Sequence, residues 1–308
     1  MFIKRIIDQL LKKKSITEIE AKQVMCNALN GGATPTQITA FFTGMLMKGI
    51  TRTELEGMLK GIKYQEVYNN KRNIDFYIYS FTQNNIVFSI CFLLSQLDYL
   101  VCGKFKNLYN DNNEFFIDES TLDISSEQKA LLLDKFQLLL YLSDYNKILK
   151  NFLFLKTELN FAKIFTILEM SINPIKNAKQ IIFIDKKTFQ QLQDINNFYN
   201  LFANMLMVII SSHEIKLLRV KKYRLSEEKA IKLHDLENYT LYPFSSAIRD
   251  IKFMTIVRII AKEILKVFSL KSSILDNLTY ITMEEMSKKI LTSFNDLLTL
   301  RKRYSQYH

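Results

Sequence analysis

Glycine runs out early in this chain. Six of the 7 glycines lie at or before Gly61, Gly103 is the last, and residues 104–308 contain none. A loop that wraps a phosphate uses glycine so that backbone N–H groups approach the ligand without a Cβ in the way. Most of the chain therefore lacks the usual means of building such a loop. The 3 cysteines, Cys26, Cys91 and Cys102, have neither metal nor redox spacing. They read as reduced, buried thiols of a cytosolic protein. Histidine is equally scarce. His213-Glu214 and His234-Asp235 are isolated pairs, read as surface turns because no further ligand stands at metal spacing. No serine elbow or Cys–His pair is present. No apolar run reaches the ~18 residues of a membrane span. Residues 1–14 carry their lysines at the wrong end for a signal peptide. A membrane partner is not expected, and the expected location is cytoplasmic. The sequence offers no catalytic, cofactor-binding or metal-binding constellation.

Positive charge is plentiful. The chain has 42 Lys+Arg against 31 Asp+Glu, a formal net charge of +11. Such an excess suits an anionic partner: nucleic acid, a phosphorylated metabolite or a membrane surface. It equally suits an AT-rich coding sequence, since Ile, Lys, Asn, Phe and Tyr are all abundant and Trp is absent. One run is concentrated: Lys216, Arg219, Lys221, Lys222 and Arg224, with Tyr223 among them. Ile215, Leu217 and Leu218 make its start a strand whose cations could line one edge. It would contact a phosphate backbone, or be a solvated edge strand protected by charge.

The N-terminal segment is the most regular. Thr17, Thr34 and Thr51 are each followed three residues later by Glu20, Gln37 and Glu54. That is the capping box, in which the Thr hydroxyl and the Glu or Gln side chain satisfy orphan helix N–H groups. Pro35 stands at a first helical position, and Gly31-Gly32 and Gly49 follow helix ends. Apolar residues fall at helical spacing in each segment: Ala21, Val24, Met25, Ala28; Ile38, Phe41, Phe42, Met45; Leu55, Met58, Ile62. Residues 1–14 add a helix with Ile3, Ile6, Ile7, Leu10 and Leu11 on one face and Lys12 to Lys14 in its last turn. Residues 1–66 thus form a helical domain, and the Asn-rich stretch from Glu66 to Asn73 a linker.

From Ile74 the pattern changes. Ile74, Phe76, Ile78 and Phe81 suggest a strand of period two. Ile86–Leu97 reads as a buried helix and Tyr99–Cys102 as a short strand. Residues 126–142 read as an amphipathic helix and 144–171 as one or two more. Gln180–Ile184, Met205–Ile210 and Ile215–Val220 read as strands; Thr188–Phe202, 252–268 and 283–301 as helices. This alternation predicts an α/β domain over 74–308 with a mostly parallel central sheet.

The N-terminal segment resembles the helical domain of the anthranilate phosphoribosyltransferase family, also called glycosyltransferase family 3. The likeness rests on Ile16-Thr17-Glu18-Ile19-Glu20-Ala21, on Gly31 to Ile38, and on Leu46 to Gly57. It continues weakly in Phe165-Thr166-Ile167-Leu168 and in Asn173-Pro174 to Gln180. The resemblance implies a small helical domain joined in space by helices of about 145–173, a larger α/β domain, and a homodimer through the helical domain. It also implies phosphoribosyl transfer with magnesium. The residues that would carry that chemistry are degraded. The family's Gly-Thr-Gly-Gly-Asp loop is represented by Ser80-Phe81-Thr82-Gln83-Asn84-Asn85. Its Lys-His-Gly-Asn-Arg motif survives as Lys104 and Asn107, with Lys106 between them. The region 156–163 lacks the family's acceptor-side arginine. The Asp-Glu pair for magnesium is reduced to Ser212-His213-Glu214. Phe81, Phe105 and Leu108 stand where small or polar groups are wanted. The expectation is a catalytically inactive homodimer with a binding or structural role, needing no cofactor. An alternative is a nucleic-acid or polyanion binder using Lys104, Lys106, Asn107, Lys216, Arg219, Lys221, Lys222 and Arg224, since a branch of the family binds nucleic acid in basic grooves. A second is an active transferase with a rebuilt site, and only that one calls for magnesium.

Overall fold

The computed structural model describes residues 2–62, 74–81, 85–106, 138–143, 162–172, 177–193, 198–232 and 248–276, with isolated positions between and beyond them. Four helices come first: α1 (Phe2–Leu11), α2 (Glu18–Leu29), α3 (Pro35–Lys48) and α4 (Arg52–Gly61). Each of α2, α3 and α4 begins with its predicted capping box, on Thr17, Thr34 and Thr51. Gly31 and Gly49 take positive φ, 75° and 89°. Helix α1 is shorter than the sequence suggests. It stops at Leu11, so Lys12, Lys13 and Lys14 follow it rather than fill its last turn. Lys13 itself adopts φ 57°, which breaks the helix.

Glycine has a packing role here. A Cβ on Gly57 would meet the Glu18 carbonyl oxygen at 2.3 Å, and one on Gly61 the Lys22 carbonyl oxygen at 2.7 Å. Their spacing of four residues puts both on one face of α4. Helix α4 therefore lies against the α2 backbone without intervening side chains. The polar tie across the bundle is Glu54, which is wholly buried. Its carboxylate accepts from the backbone N–H of Ile16 at 2.9 Å and of Thr51 at 2.8 Å, and from Lys48 Nζ at 2.7 Å.

Among the described residues the second region is a seven-stranded sheet. Its strands are β1 (Phe76–Ser80), β2 (Val101–Lys106), β3 (Leu138–Ser143), β4 (Lys179–Asp185), β5 (Asn204–Ile210), β6 (Glu214–Lys221) and β7 (Arg224–Lys232), in the order β3-β2-β1-β4-β5-β6-β7. The first five are parallel, and β6 and β7 join antiparallel. Helices α5 (Asn85–Gln96), α6 (Ala162–Ser171), α7 (Lys186–Gln193), α8 (Ile251–Val267) and α9 (Ser273–Asp276) accompany it, with a 3-10 turn at Phe198–Leu201. Helix α5 packs on one face through Phe88 and Phe105, and the end of α8 on the same face through Phe76 and Phe268. Helix α6 covers the other, where Gln180 Nε2 donates to the Met170 carbonyl at 2.8 Å. The architecture is a helical N-terminal domain followed by an α/β domain with a mostly parallel, mixed sheet.

Several boundaries differ from the sequence reading. Strand β1 is buried at every position. Tyr77 and Tyr79 fill the face opposite Phe76 and Ile78, so an alternating exposed face never forms. The expected strand at Tyr99 begins at Val101 and runs to Lys106. The helix expected over 126–142 is contradicted at its end, where the run Leu138-Leu139-Leu140-Tyr141-Leu142 forms β3; residues 107–137 lie outside the described residues. The helix expected over Thr188–Phe202 is α7 plus the separate 3-10 turn. Strand β7 has no counterpart in the sequence reading. The helix at 252–268 is present as α8, and the described positions between 285 and 299 are helical.

An aromatic cluster links the two regions. The Phe42 ring of α3 lies 5.4 Å from Phe165 of α6 and 6.0 Å from Phe152. A second contact is made by the β6–β7 hairpin. Its two turn residues, Lys222 and Tyr223, have φ of 48° and 63°, the pattern of a tight two-residue hairpin. The guanidinium of Arg52 sits 3.4 Å from the centre of the Tyr223 ring.

Candidate functional site

In an open parallel sheet, ligands bind beyond the carboxyl ends of the strands, where the strand order reverses. Here that place is the end of β1, flanked by β2 and β4. Ser80 lies level with Phe105 of β2 and Phe183 of β4, and the Phe81 N–H donates to the Phe183 carbonyl at 2.9 Å. Aromatic rings fill both sides. Toward α5, Phe105 is fully buried and stacks on Phe88 with ring centres 4.2 Å apart. On the α6 face, the Tyr79 and Phe81 rings lie 4.5 Å apart. Phe81 retains only 4% of its surface.

The polar groups nearby are buried among these rings. The Tyr79 hydroxyl donates to Glu169 Oε2 at 3.4 Å. Lys104 is 9% exposed, and its ammonium stands 5.6 Å from the Tyr79 ring centre. An ammonium so close to an aromatic face is stabilised by the ring quadrupole. Lys106 ends β2, and Asn107 and Leu108 lie outside the described residues. The stretch 82–84, half of Ser80 to Asn85, also lies outside them.

The basic run does not form one stripe. Strand β6 is internal, between β5 and β7, so it is not the edge strand the sequence allowed. Alternation sends its cations to opposite faces. Arg219 turns to the α8 face, donates to the Val267 carbonyl and lies over the Phe268 ring at 5.8 Å. There it caps a helix C-terminus, where a cation suits the helix dipole. Lys216 turns to the α7 face, with its ammonium 3.8 Å from Glu214 Oε2. Lys221, Lys222 and Arg224 remain exposed at the hairpin tip. Glu214, the last carboxylate of Ser212-His213-Glu214, is the first residue of β6. Among the described residues no group of three His, Cys, Asp or Glu side chains could hold a metal ion.

A cavity opens between α7 and the β5–β6 turn. It encloses about 180 Å³ and is lined by Lys186, Phe189, Gln190, Gln193, Ile209, Ser211, Glu214 and Lys216. Its α7 residues give no signal in the sequence, because Lys186, Gln190 and Gln193 match no ligand-binding motif and Lys186 precedes the helix expected from Thr188. Burial pushes the Cys91 thiol up, so that it is held protonated. Among the described residues no helix is long and apolar enough to cross a membrane.

Comparison with known proteins agrees with this architecture. Residues 4–63 match the helical bundle domain of the glycosyl transferase family. The anthranilate phosphoribosyltransferases of Geotalea uraniireducens and Geobacter sulfurreducens are each 44% identical over 55 residues, 18% of this chain and 16% of theirs. That of Chloroflexus aggregans is 41% identical over 58 residues, 19% of this chain and 17% of its own. The sequence likeness thus spans about a sixth of those relatives. In fold, the crystal structure of anthranilate phosphoribosyltransferase from Thermus thermophilus superposes with a TM-score of 0.67 over 97% of this chain and 98% of that one, at 12% identity. The N-terminal bundle is thus a helical bundle domain of the glycosyl transferase family, and the chain as a whole resembles anthranilate phosphoribosyltransferase, in sequence over that bundle and in fold throughout.

Proposed function

We propose that this chain is a catalytically silent relative of the phosphoribosyltransferases that acts as a binding or structural homodimer. The observation that supports this most is the aromatic filling where β1 and β2 end: Phe105 stacked on Phe88, and Phe81 against Tyr79. A diphosphate there would need space, backbone donors and a metal. Magnesium on a diphosphate takes one or two carboxylates besides phosphate oxygens. Departure of the diphosphate needs its growing charge neutralised. The carboxylate after β5, Glu214, faces the ammonium of Lys216 instead. An assay of magnesium-dependent phosphoribosyl transfer to aromatic amines should find no turnover. Turnover that disappears when Lys104 and Asn107 are replaced by alanine would overturn the proposal.

The helical domain supplies the assembly surface in this reading. Leu11 of α1, Ile19 of α2 and Met47 of α3 are large apolar side chains left 59%, 66% and 68% exposed. Light scattering at micromolar concentration should give the mass of a dimer, and Leu11→Glu with Met47→Glu that of a monomer. A monomeric mass for the unaltered chain would refute this part. A second reading, contact with nucleic acid or another polyanion, draws on Lys221, Lys222 and Arg224, which stay exposed at the hairpin tip. Salt-dependent retention on heparin that falls in the triple alanine variant would favour it.

A further inference from the structure

The β6–β7 hairpin reaches from the sheet to the helical domain, where the Tyr223 ring meets Arg52. We infer that this contact is a releasable latch. It holds the helical domain against the sheet, and its loss lets the two swing about the buried cluster of Phe42, Phe152 and Phe165. The geometry at the latch is well defined. Arg52 is the first residue of α4, and its Nε donates to Glu56 Oε1, one turn on, at 2.8 Å. That bond orients the guanidinium, whose central carbon lies 3.4 Å from the centre of the Tyr223 ring. A planar guanidinium stacks on an aromatic face in a way that an ammonium does not.

The backbone is strained at the same point. Lys222 and Tyr223 have φ of 48° and 63°. Positive φ at both turn residues suits Asn-Gly. Lysine and tyrosine instead bring a Cβ against the following carbonyl oxygen. Residues in such conformations persist where their surroundings over-determine them, and they mark places that do something. Here the Tyr223 N–H donates to the Ala203 carbonyl at 3.4 Å, and the ring is set on Arg52. Exposure then separates latch from pivot. Arg52 is exposed and Tyr223 half-buried. Phe42, Phe152 and Phe165 retain 1% of their surface or less. A cation over a ring in contact with water is a weak attraction, so it opens readily. A buried aromatic cluster keeps its hold through apolar burial. Without the ring, the ratio of open to latched chains should rise roughly twofold to fivefold.

The test reads the distance between the two regions in the full chain by pulsed electron paramagnetic resonance. Nitroxide labels go on Gln23→Cys of α2 and Lys252→Cys of α8, both exposed positions, with the half-buried Cys26 replaced by alanine. Labelled chain is diluted into unlabelled chain, so that distances within one chain are read. The latched chain should give one main distance. Tyr223→Ala and Arg52→Ala should each raise the ratio of a second distance to the first, roughly twofold to fivefold. Tyr223→Phe, which keeps the ring, should match the latched chain. Lys222→Asn with Tyr223→Gly supplies the residues that the turn favours but no ring. It should open like Tyr223→Ala while amide exchange across β6 and β7 stays as slow as in the latched chain, which separates loss of the latch from loss of the hairpin. An unchanged distance distribution in Tyr223→Ala, or in the Lys222→Asn, Tyr223→Gly chain, would overturn the proposal. So would Tyr223→Phe shifting as far as Tyr223→Ala.

Discussion

Replacing Glu54 by alanine should cost the helical bundle about 3–5 kcal/mol, the range for breaking a buried ion pair by removing one partner. Three donors converge on this carboxylate: Ile16 N–H, Thr51 N–H and Lys48 Nζ, all within 2.9 Å. Both side chains are out of water, with Lys48 at 5% and Glu54 at 0% exposure. Truncation leaves an ammonium in the bundle with the Gly49 carbonyl as its remaining acceptor, at 2.7 Å. It also orphans two backbone N–H groups, each costing roughly 1–3 kcal/mol if buried. Hydrophobic burial cannot compensate, because alanine is too short to fill the space. Lys48→Met in the same molecule removes the stranded charge. The double variant should therefore lose about 1–3 kcal/mol less than the sum of the two single losses. Urea unfolding followed by circular dichroism measures all three variants. A loss below about 1 kcal/mol for Glu54→Ala, or additive single effects, would show that Glu54 is only a surface cap and that the buried tie is not formed.

Two further outcomes follow from the packing and the charges. Gly57→Ala places a Cβ 2.3 Å from the Glu18 carbonyl oxygen, a backbone atom that cannot swing away. It should destabilise the bundle by about 1–3 kcal/mol despite alanine's better helix propensity; unchanged or raised stability in urea would mean that α4 stands off α2. Burial alone would raise the carboxyl of Glu263, but hydrogen bonds from Lys229 and Lys266 outweigh it and hold the group below its ordinary range. A carboxylate with a depressed folded pKa contributes stability above its unfolded pKa and loses it as pH falls through the folded value. Glu263→Gln should therefore lower the melting temperature near neutral pH and have progressively less effect in acid, below the ordinary carboxylate range. An equal effect at neutral and acid pH would place its role in packing.

The capped helices were legible because their signals are local. A Thr with Glu or Gln three residues on needs no tertiary partner to be recognised, and the boxes on Thr17, Thr34 and Thr51 all form. What the sequence does not show is the second use of Glu54, which reaches Ile16 thirty-eight positions away. Strands β4 and β5 were readable as short apolar runs. Strand β1 misled because both of its faces are covered, which period-two reasoning cannot anticipate. Strand β7 escaped because Ser226 to Lys229 are polar, and only pairing with β6 makes the segment extended. The aromatic substitutions Phe81 and Phe105 were visible as residues out of place. Their partners Tyr79 and Phe88 were not, since α5 reads simply as buried. The scattering of the basic run follows from alternation around β6, whose position in the sheet is a tertiary fact.

In the proposed reading the aromatic-filled end of β1 and β2 does not accept a diphosphate. Calorimetric titration of phosphoribosyl diphosphate with magnesium tests it most directly. Any weak heat should be the same with and without magnesium, and should persist when Lys104 is replaced by alanine. Magnesium-dependent binding that is lost in Lys104→Ala would contradict it, because the filled crevice would then have opened to hold both metal and diphosphate.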